Sequence, residues 1–585
     1  MIKKLVPARF SPLATSVALA LMLTACGDTP DNQQQPVATT KQTQQVSTYL
    51  SRSIKDEVFY FVMPDRFQNG DTTNDLGSTT HPESRGGFDP THDGMYHGGD
   101  LTGLEQKLPY LKEMGITAIW MTPIMRNQAV QADSAGYHGY WVLDFTEVDP
   151  HLGTNEDLKS LIDAAHALDM KVFFDIITNH SADVIKYQEC HGKDGLGWLV
   201  EGNDCPFISK ADTAAGKGYN ALIPKGNENL KTPNWLNDIK YYHNQGDSFW
   251  QGESSVNGDF SGLDDIDTNN PEVVTGMIDI FKDIVSEFKP DGFRIDTVKH
   301  VNIEFWQQFS PAIIEHAKTA GIPQFFMFGE VYDHSPANLS QFTTTGKLQS
   351  VLDFALQSTV YDVLIKQKGT NKLAELFAQD ALYKDDDSSA NELLTFVGNH
   401  DMGRFAYHVG EDENHQYSED EKLTRTQLAH AMIYFSRGVP VIYYGDEQGF
   451  TGDGGDRKAR EDMMPSKTAI YNDNNLLGTS KTTADDNFDT SHPLYRSFQL
   501  YSGIYQKHPA LRQGKQSTVH FEDKPGLFVL SRQIKQEKPY FVIYNTASET
   551  RSWQLPEGEF EAVIGKLDGQ KAQLAPLSFA IYRQK

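Results

Sequence analysis

Between residues 54 and 507, short apolar runs alternate with helical patterns. This alternation restricts the fold more than any other feature of the chain. The runs are Val58–Val62, Ile116–Met121, Lys171–Ile177, the start of Asp291–His300, Phe325–Glu330, Gln349–Leu356, Leu393–Val397 and Val439–Tyr444. Between them lie amphipathic segments with legible ends. Leu101–Met114 is stopped by Gly115. Asn155–Leu168 is capped by Thr154 or Asn155, with Glu156 and Asp157 in its first turn. Pro271–Phe288 carries its proline near the start. Eight strands with helical crossovers predict an α/β chain folded as a parallel (β/α)8 (TIM) barrel.

Two segments break the alternation. Residues 180–261 are long, polar and rich in Gly and Asn, and read as an inserted domain after strand 3. The barrel then comprises residues 54–179 and 262–507. From 508 to 585 the runs Leu527–Leu530, Tyr540–Tyr544 and Phe579–Tyr582 lie between turn residues without helices, which predicts a C-terminal antiparallel β-sandwich domain.

A formal net charge of −27 argues against a nucleic-acid partner and against an acidic substrate. The first 25 residues read as a targeting signal: Lys3, Lys4 and Arg9 precede the apolar run Leu13–Leu23, which is too short to span a bilayer. Leu23-Thr24-Ala25-Cys26 resembles a bacterial lipobox, which implies cleavage before Cys26 and lipidation of its thiol. With Gly27 next, the expected place is the outer membrane of a Gram-negative envelope; an ordinary cleaved signal would leave a secreted protein. Residues 26–53, rich in Gln, Thr, Pro and Ser, read as a flexible tether. The remaining two cysteines, Cys190 and Cys205, are expected to form a disulfide in an exported protein.

In a parallel barrel the C-terminal strand ends face the site. After strand 3 come Asp175, Asn179 and His180. After strand 4 come Arg294, Asp296, Lys299 and His300. Glu330 ends strand 5, and Asn399, His400 and Asp401 end strand 7. Carboxylates, histidines and an arginine gathered on one rim suit glycoside cleavage. Asp296, beside Arg294, is the candidate nucleophile, since an adjacent guanidinium favours the ionised form. Glu330, ending an apolar strand, is the candidate acid with a raised pKa. Asp401 is a third carboxylate, placed to hold sugar hydroxyls and stabilise positive charge. His180 and His400 can donate to hydroxyls, and Tyr140 offers a stacking face.

These motifs resemble, in order, those of the α-amylase family (glycoside hydrolase family 13): Asp175-Ile-Ile-Thr-Asn-His180, Gly292-Phe-Arg-Ile-Asp-Thr-Val-Lys-His300, Phe328-Gly-Glu-Val331 and Phe396-Val-Gly-Asn-His-Asp401. Leu263–Asp267 and Gly438–Glu447 resemble two further motifs, and the core is most similar to bacterial α-amylases and cyclodextrin glucanotransferases. The resemblance implies Asp296 as nucleophile, Glu330 as acid/base and Asp401 as transition-state stabiliser. It places Arg294, His180, His400, His138 and Tyr140 around the cleaved sugar, with Lys299 and His300 beyond the bond. It implies Ca2+ as cofactor, held by Asn179, Asp265 and the His300 carbonyl. A second site, similar to one in glucanotransferases, would use Asn69, Asp71, Asn74, Asp75, Asp100 and the Gly98 carbonyl. The chain ends after one β-domain, and Ser261 stands where transferases carry a bulky aromatic, with Phe260 adjacent. The expectation is therefore a monomeric hydrolase of α-1,4-glucans in starch and maltodextrins. The alternatives are a cyclodextrin glucanotransferase- or cyclomaltodextrinase-type transglycosylase, and a catalytically inactive glucan-binding lipoprotein.

Overall fold

The computed structural model describes residues 48–585, apart from 201 and 203. The signal at 1–25, Cys26 and most of the tether lie outside the described residues. The described residues form one compact unit.

Eight parallel strands build the barrel: β1 (Phe59–Val62), β2 (Ala118–Met121), β3 (Lys171–Ile177), β4 (Gly292–Asp296), β5 (Phe326–Gly329), β6 (Ser350–Val351), β7 (Leu394–Thr395) and β8 (Val439–Tyr443). Their order is β6-β5-β4-β3-β2-β1-β8-β7. A parallel bridge between Leu352 and Leu394 joins the two ends, so the sheet closes. The strands read as unbroken apolar runs because helices cover the outer face while side chains fill the inside. Aromatics do much of that filling: Phe61 stacks on Trp120 at 3.8 Å, and Phe59 meets Phe173 and Phe328 edge-on.

The helix boundaries follow the capping signals. Asp100 caps Leu101–Met114, and Gly115 ends it at φ 94°. Thr154 and Asp157 form a capping box for Asn155–Ala167, and Asn270 caps Pro271–Phe288. Two expected strands shrink to two residues each. Leu393–Val397 yields only Leu394–Thr395. Gln349–Leu356 yields only Ser350–Val351, because the Asp353 side chain accepts the Leu356 N–H and starts a helix at Phe354.

The segment leaving β3 is sewn to its own return. His180–Ser181 pairs antiparallel with Asp264–Asp265, which fixes the insert against the barrel rim. Within it, Lys186–Tyr187 pairs with Ala221–Leu222, and Cys190 is bonded to Cys205 with Cα atoms 5.8 Å apart. A staple across 15 residues stabilises the fold by roughly 3 kcal/mol on the chain-entropy estimate.

The C-terminal region holds two antiparallel sheets. β9 (Lys515–His520), β10 (Leu527–Gln533) and β11 (Tyr540–Asn545) join β13 (Phe560–Ile564) and β16 (Ser578–Gln584) in the order β9-β10-β11-β16-β13. The second sheet is β12 (Arg551–Gln554), β15 (Lys571–Leu574) and β14 (Lys566–Asp568), with β15 central. Side chains alternate between two cores. Val529, Phe541, Ile543 and Tyr582 pack with Leu574 from the second sheet, while Phe528, Leu530, Val542 and Tyr544 join the barrel's core.

Candidate active site

Strand register gathers the charged groups. β4 pairs with β3 so that Arg294 lies opposite Asp175, and with β5 so that Ile295 lies opposite Gly329. The Glu330 N–H then donates to the Ile295 carbonyl, which brings Glu330 beside Asp296. Buried Arg294 is the hub. Its Nη1 donates to Asp175 Oδ1 and Oδ2 (2.8 and 2.9 Å) and to Asp296 Oδ1 (3.0 Å), and its Nη2 lies 2.7 Å from Glu330 Oε2. Asp175 also accepts from Trp120 Nε1 and Tyr140 OH, both at 3.1 Å. The Tyr140 hydroxyl lies 3.0 Å from His400 Nε2.

A cleft of about 560 Å³ opens above this network. Asp296, Glu330, Asp401, His138, Tyr140, His180, Lys299, His300 and His400 all line it, so the structure brings these sequence-picked residues together around Arg294. Lys299 Nζ donates to the Tyr332 carbonyl at 3.0 Å, and His300 Nδ1 lies 2.7 Å from the Ser255 carbonyl.

Burial dominates the electrostatics. It pushes Asp296 up to about 7 against the pull of Arg294, with Asp175 and Asp401 adding to the rise. It pushes Glu330 to about 8, again against Arg294, with Asp296 and Asp401 on the raising side. Asp175 rises to about 6 for the same reason. The sequence reading gave Arg294 the role of keeping Asp296 ionised. In the structure one guanidinium is divided among three carboxylates, and burial outweighs its share. Glu330 and Asp296 are hydrogen-bonded to each other, and the pair titrates as a unit in which Glu330 holds the proton more tightly. The surrounding site raises Asp401, whose own side chain is 48% exposed, but His400, Arg460 and Arg294 outweigh that and hold this carboxyl below the usual range. Burial pushes His180 and His400 down to about 3 and His138 well below its ordinary value. The three rings are therefore neutral at pH 7. His180 Nε2 and His400 Nδ1 are buried without a partner among the described residues, and are free to meet a hydroxyl.

An acid whose folded pKa is raised keeps its proton in the folded state after the unfolded chain has lost it. Stability therefore falls as pH rises from the unfolded value, about 4, through the folded one. Glu330→Gln removes that liability. Its Tm should exceed the native value by a few degrees at pH 9, and the gap should close near pH 4; calorimetry at both pH values measures it.

Several residues have roles that the sequence alone does not show. Asp175 was placed on the rim without a role, although a lone Asp inside Lys171-Val-Phe-Phe-Asp-Ile-Ile177 is itself a signal. Asn399 Oδ1 accepts the Asp401 and Met402 N–H groups at 3.0 and 2.9 Å and so aims Asp401. Arg460 reaches Asp401 Oδ1 (3.2 Å), Asp456 (2.6 Å) and Tyr137 OH (3.1 Å), and no motif marked it. Phe260 stacks on His180 with ring centres 5.1 Å apart, and Trp250 stands edge-on to both Phe260 and His300.

The catalytic-domain profile of the α-amylase family matches residues 61–494. The chain belongs to the α-amylase family. It is 43% identical over 583 residues to an α-amylase of Streptomyces lividans, covering 95% of this chain and 62% of that relative's length. Among solved structures, an α-amylase from Geobacillus thermoleovorans complexed with acarbose superposes with a TM-score of 0.66 at 27% identity, covering 91% of this chain and 99% of the other. A cyclomaltodextrin glucanotransferase with a three-domain distribution superposes at 0.68 and 27% identity, covering 90% and 99%. That likeness corrects one inference. A single β-domain after the barrel does not separate this chain from a glucanotransferase, because a three-domain glucanotransferase spans the same length.

Enzymes of the α-amylase family generally bind calcium. Among the described residues no three His, Cys, Asp or Glu side chains converge as metal ligands, so the sites to compare are ones that also offer amide and carbonyl oxygens. The early cluster meets that condition. The side-chain oxygens of Asn69 and Asn74 are buried without partners, and Asn69 Nδ2 donates to Asp75 at 2.8 Å. Gly98 closes over them at φ 92°, where a Cβ would meet Asn69 and Asp75 at 2.7 Å. Asp100 braces the loop, accepting from the N–H groups of Gly70, Asp71 and Gly103. Asp71 departs from the expected set, because its side chain faces solvent and holds Thr73. The seam between insert and barrel fits less well. Asp265 Oδ2 lies 2.6 Å from His243, which Asp265 and Asp267 raise to about 9 against the effect of burial, and Asn179 faces His180. Neither Asn179 nor Asp265 carries an orphaned buried oxygen.

Proposed function

We propose that this chain hydrolyses α-1,4-glucosidic bonds of starch and maltodextrins with retention at the anomeric carbon. The observation that carries the reading is the contact of Asp296 and Glu330 on one guanidinium. An inverting pair must leave room for a water between its carboxyls, whereas a retaining pair sits close. Protonated Glu330 gives its proton to the glycosidic oxygen while ionised Asp296 attacks the anomeric carbon. The C–O bond to the leaving chain breaks, and a glycosyl ester forms on Asp296. Glu330, now ionised, takes a proton from water, and that water cleaves the ester. Asp401, held ionised by Arg460 and aimed by Asn399, faces the positive charge that develops on the ring. Arg294, Tyr140 and Asp175 position the pair. His138, His180 and His400 meet the hydroxyls as neutral rings. Lys299 and His300 hold the leaving side. Soluble starch incubated with the purified chain should release reducing ends; none released would reject hydrolysis and leave the transglycosylase and glucan-binding alternatives.

A transglycosylase reading has one observation in its favour. Phe260 and Trp250 place aromatic faces in the cleft beside Ser261, the position that lacks the transferases' bulky ring. Linear products from maltoheptaose support hydrolysis, and cyclic products support transfer.

For calcium, Asn69, Asn74, Asp75 and the Gly98 carbonyl would hold the ion. It would supply a charge that binds the early loop to the first crossover helix. Exhaustive chelation should lower the Tm by about 3 °C or more, and calcium should restore it. An unchanged Tm removes the assignment. The envelope location is proposed on the Cys26 motif alone. Palmitate labelling that disappears in Cys26→Ser supports it, and labelling that persists opposes it.

A further inference from the structure

We infer that a second cavity, in the insert, binds an outer segment of the glucan chain whose inner segment occupies the catalytic cleft. This rests on the glucan-hydrolase reading above. The cavity measures about 320 Å³ and shares Trp250 and Ser261 with the catalytic cleft, so the two spaces are adjacent. Its other walls include Asp183, Asp204, Asp247, His191 and Trp198.

The wall chemistry suits a neutral polyol with flat apolar faces. Trp198 and Trp250 are each 44% exposed, unusual for a side chain that gains so much by burial. Trp198 lies against His191 with ring centres 4.1 Å apart. His191 is 8% exposed, and its Nε2 is buried with no partner among the described residues. Its Nδ1 is already beside the Tyr187 backbone. A buried polar atom left unmatched on a cavity wall is a vacant hydrogen-bonding position. Asp204 and Asp247 are hydrogen-bonded to each other, and Asp247 Oδ2 also accepts the Cys205 N–H at 2.6 Å. Carboxylates here can accept from sugar hydroxyls while the tryptophan faces take the C–H surfaces of the rings.

A metal ion is a poorer occupant. Four aspartates line the space, yet among the described residues no three of them converge as metal ligands. The disulfide gives the cavity a fixed shape. Cys190 precedes His191 and Cys205 follows Asp204, so the bond ties the two polar walls together.

The test is Trp198→Ala, assayed on maltoheptaose and on maltotriose. The longer chain reaches both cavities and should show a KM raised about fivefold, the loss of one stacking face, with kcat unchanged. The KM for maltotriose should stay at the native value. Trp198→Phe should restore most of the maltoheptaose KM. Calorimetric binding of maltoheptaose and maltotriose to Asp296→Asn, with and without Trp198→Ala, reads the same site without turnover. Loss of affinity for the longer sugar alone supports the cavity even if the native chain hydrolyses neither substrate, an outcome that would reject the hydrolase reading instead. Equal effects on both sugars, or none on either, overturn the inference.

Discussion

Asp296→Asn should hydrolyse maltoheptaose at least about 10⁴-fold more slowly than the native chain, with its fold intact. The amide has nearly the same shape as the carboxyl, can still meet Arg294, and cannot form a glycosyl ester. Glu330→Gln should be comparably slow on maltoheptaose, whose leaving chain needs a proton. On α-maltosyl fluoride, whose leaving group departs without protonation, it should regain a large part of the rate of the first step. Asp296→Asn should gain nothing from the fluoride. Rapid-quench measurement of fluoride release separates the two. Equal rescue of both variants would mean that the roles are misassigned.

Arg294→Gln should have the second-largest effect, and on two observables. Arg294 is buried among Asp175, Asp296 and Glu330. Removing the cation leaves buried carboxylates uncompensated, at a cost of about 3–5 kcal/mol. The loss should be greatest at alkaline pH, where those groups ionise, and should shrink in acid. Arg294 pulls Asp296 and Glu330 down, so without it both should rise further. The acid limb of kcat/KM, which reports ionisation of Asp296, should therefore move to higher pH. Arg294→Lys should keep the charge but lose the two-nitrogen bridge from Asp296 to Glu330, and recover only part of each effect. Urea unfolding at pH 5 and pH 9, with a pH–rate profile, measures all of this.

The barrel was legible because its signals are local and repeated. Apolar runs, caps and stops recur along the chain, and polar residues fall after the same ends of the strands. Asp296, Glu330 and Asp401 could be chosen for that reason. The sixth strand was overread because Val351-Leu-Asp-Phe-Ala-Leu356 is apolar on either side of Asp353, and only the cap at Asp353 decides for a helix. What sequence reasoning missed lies across the fold. Asp175 and Arg294 are separated by 119 residues and meet only through strand register, and Arg460 reaches Asp401 from a loop with no periodicity. The sharing of charge around Asp296 is hidden from the sequence for a related reason. An Arg two residues away is visible in the sequence, but the two other carboxylates sharing it, and the burial that opposes it, are properties of the folded barrel. The insert gave least away, since residues 180–261 are organised by a disulfide and short ladders rather than by pattern.

Two roles are central: Asp296 attacks the sugar while Glu330 supplies the proton. The most direct measurement is the anomeric configuration of the first product, read by proton NMR within the first minutes of maltoheptaose hydrolysis, before mutarotation. An α-anomer appearing first and relaxing toward the β-anomer is the predicted result. A β-anomer appearing first would mean that water, not Asp296, attacks the anomeric carbon, and would contradict the account.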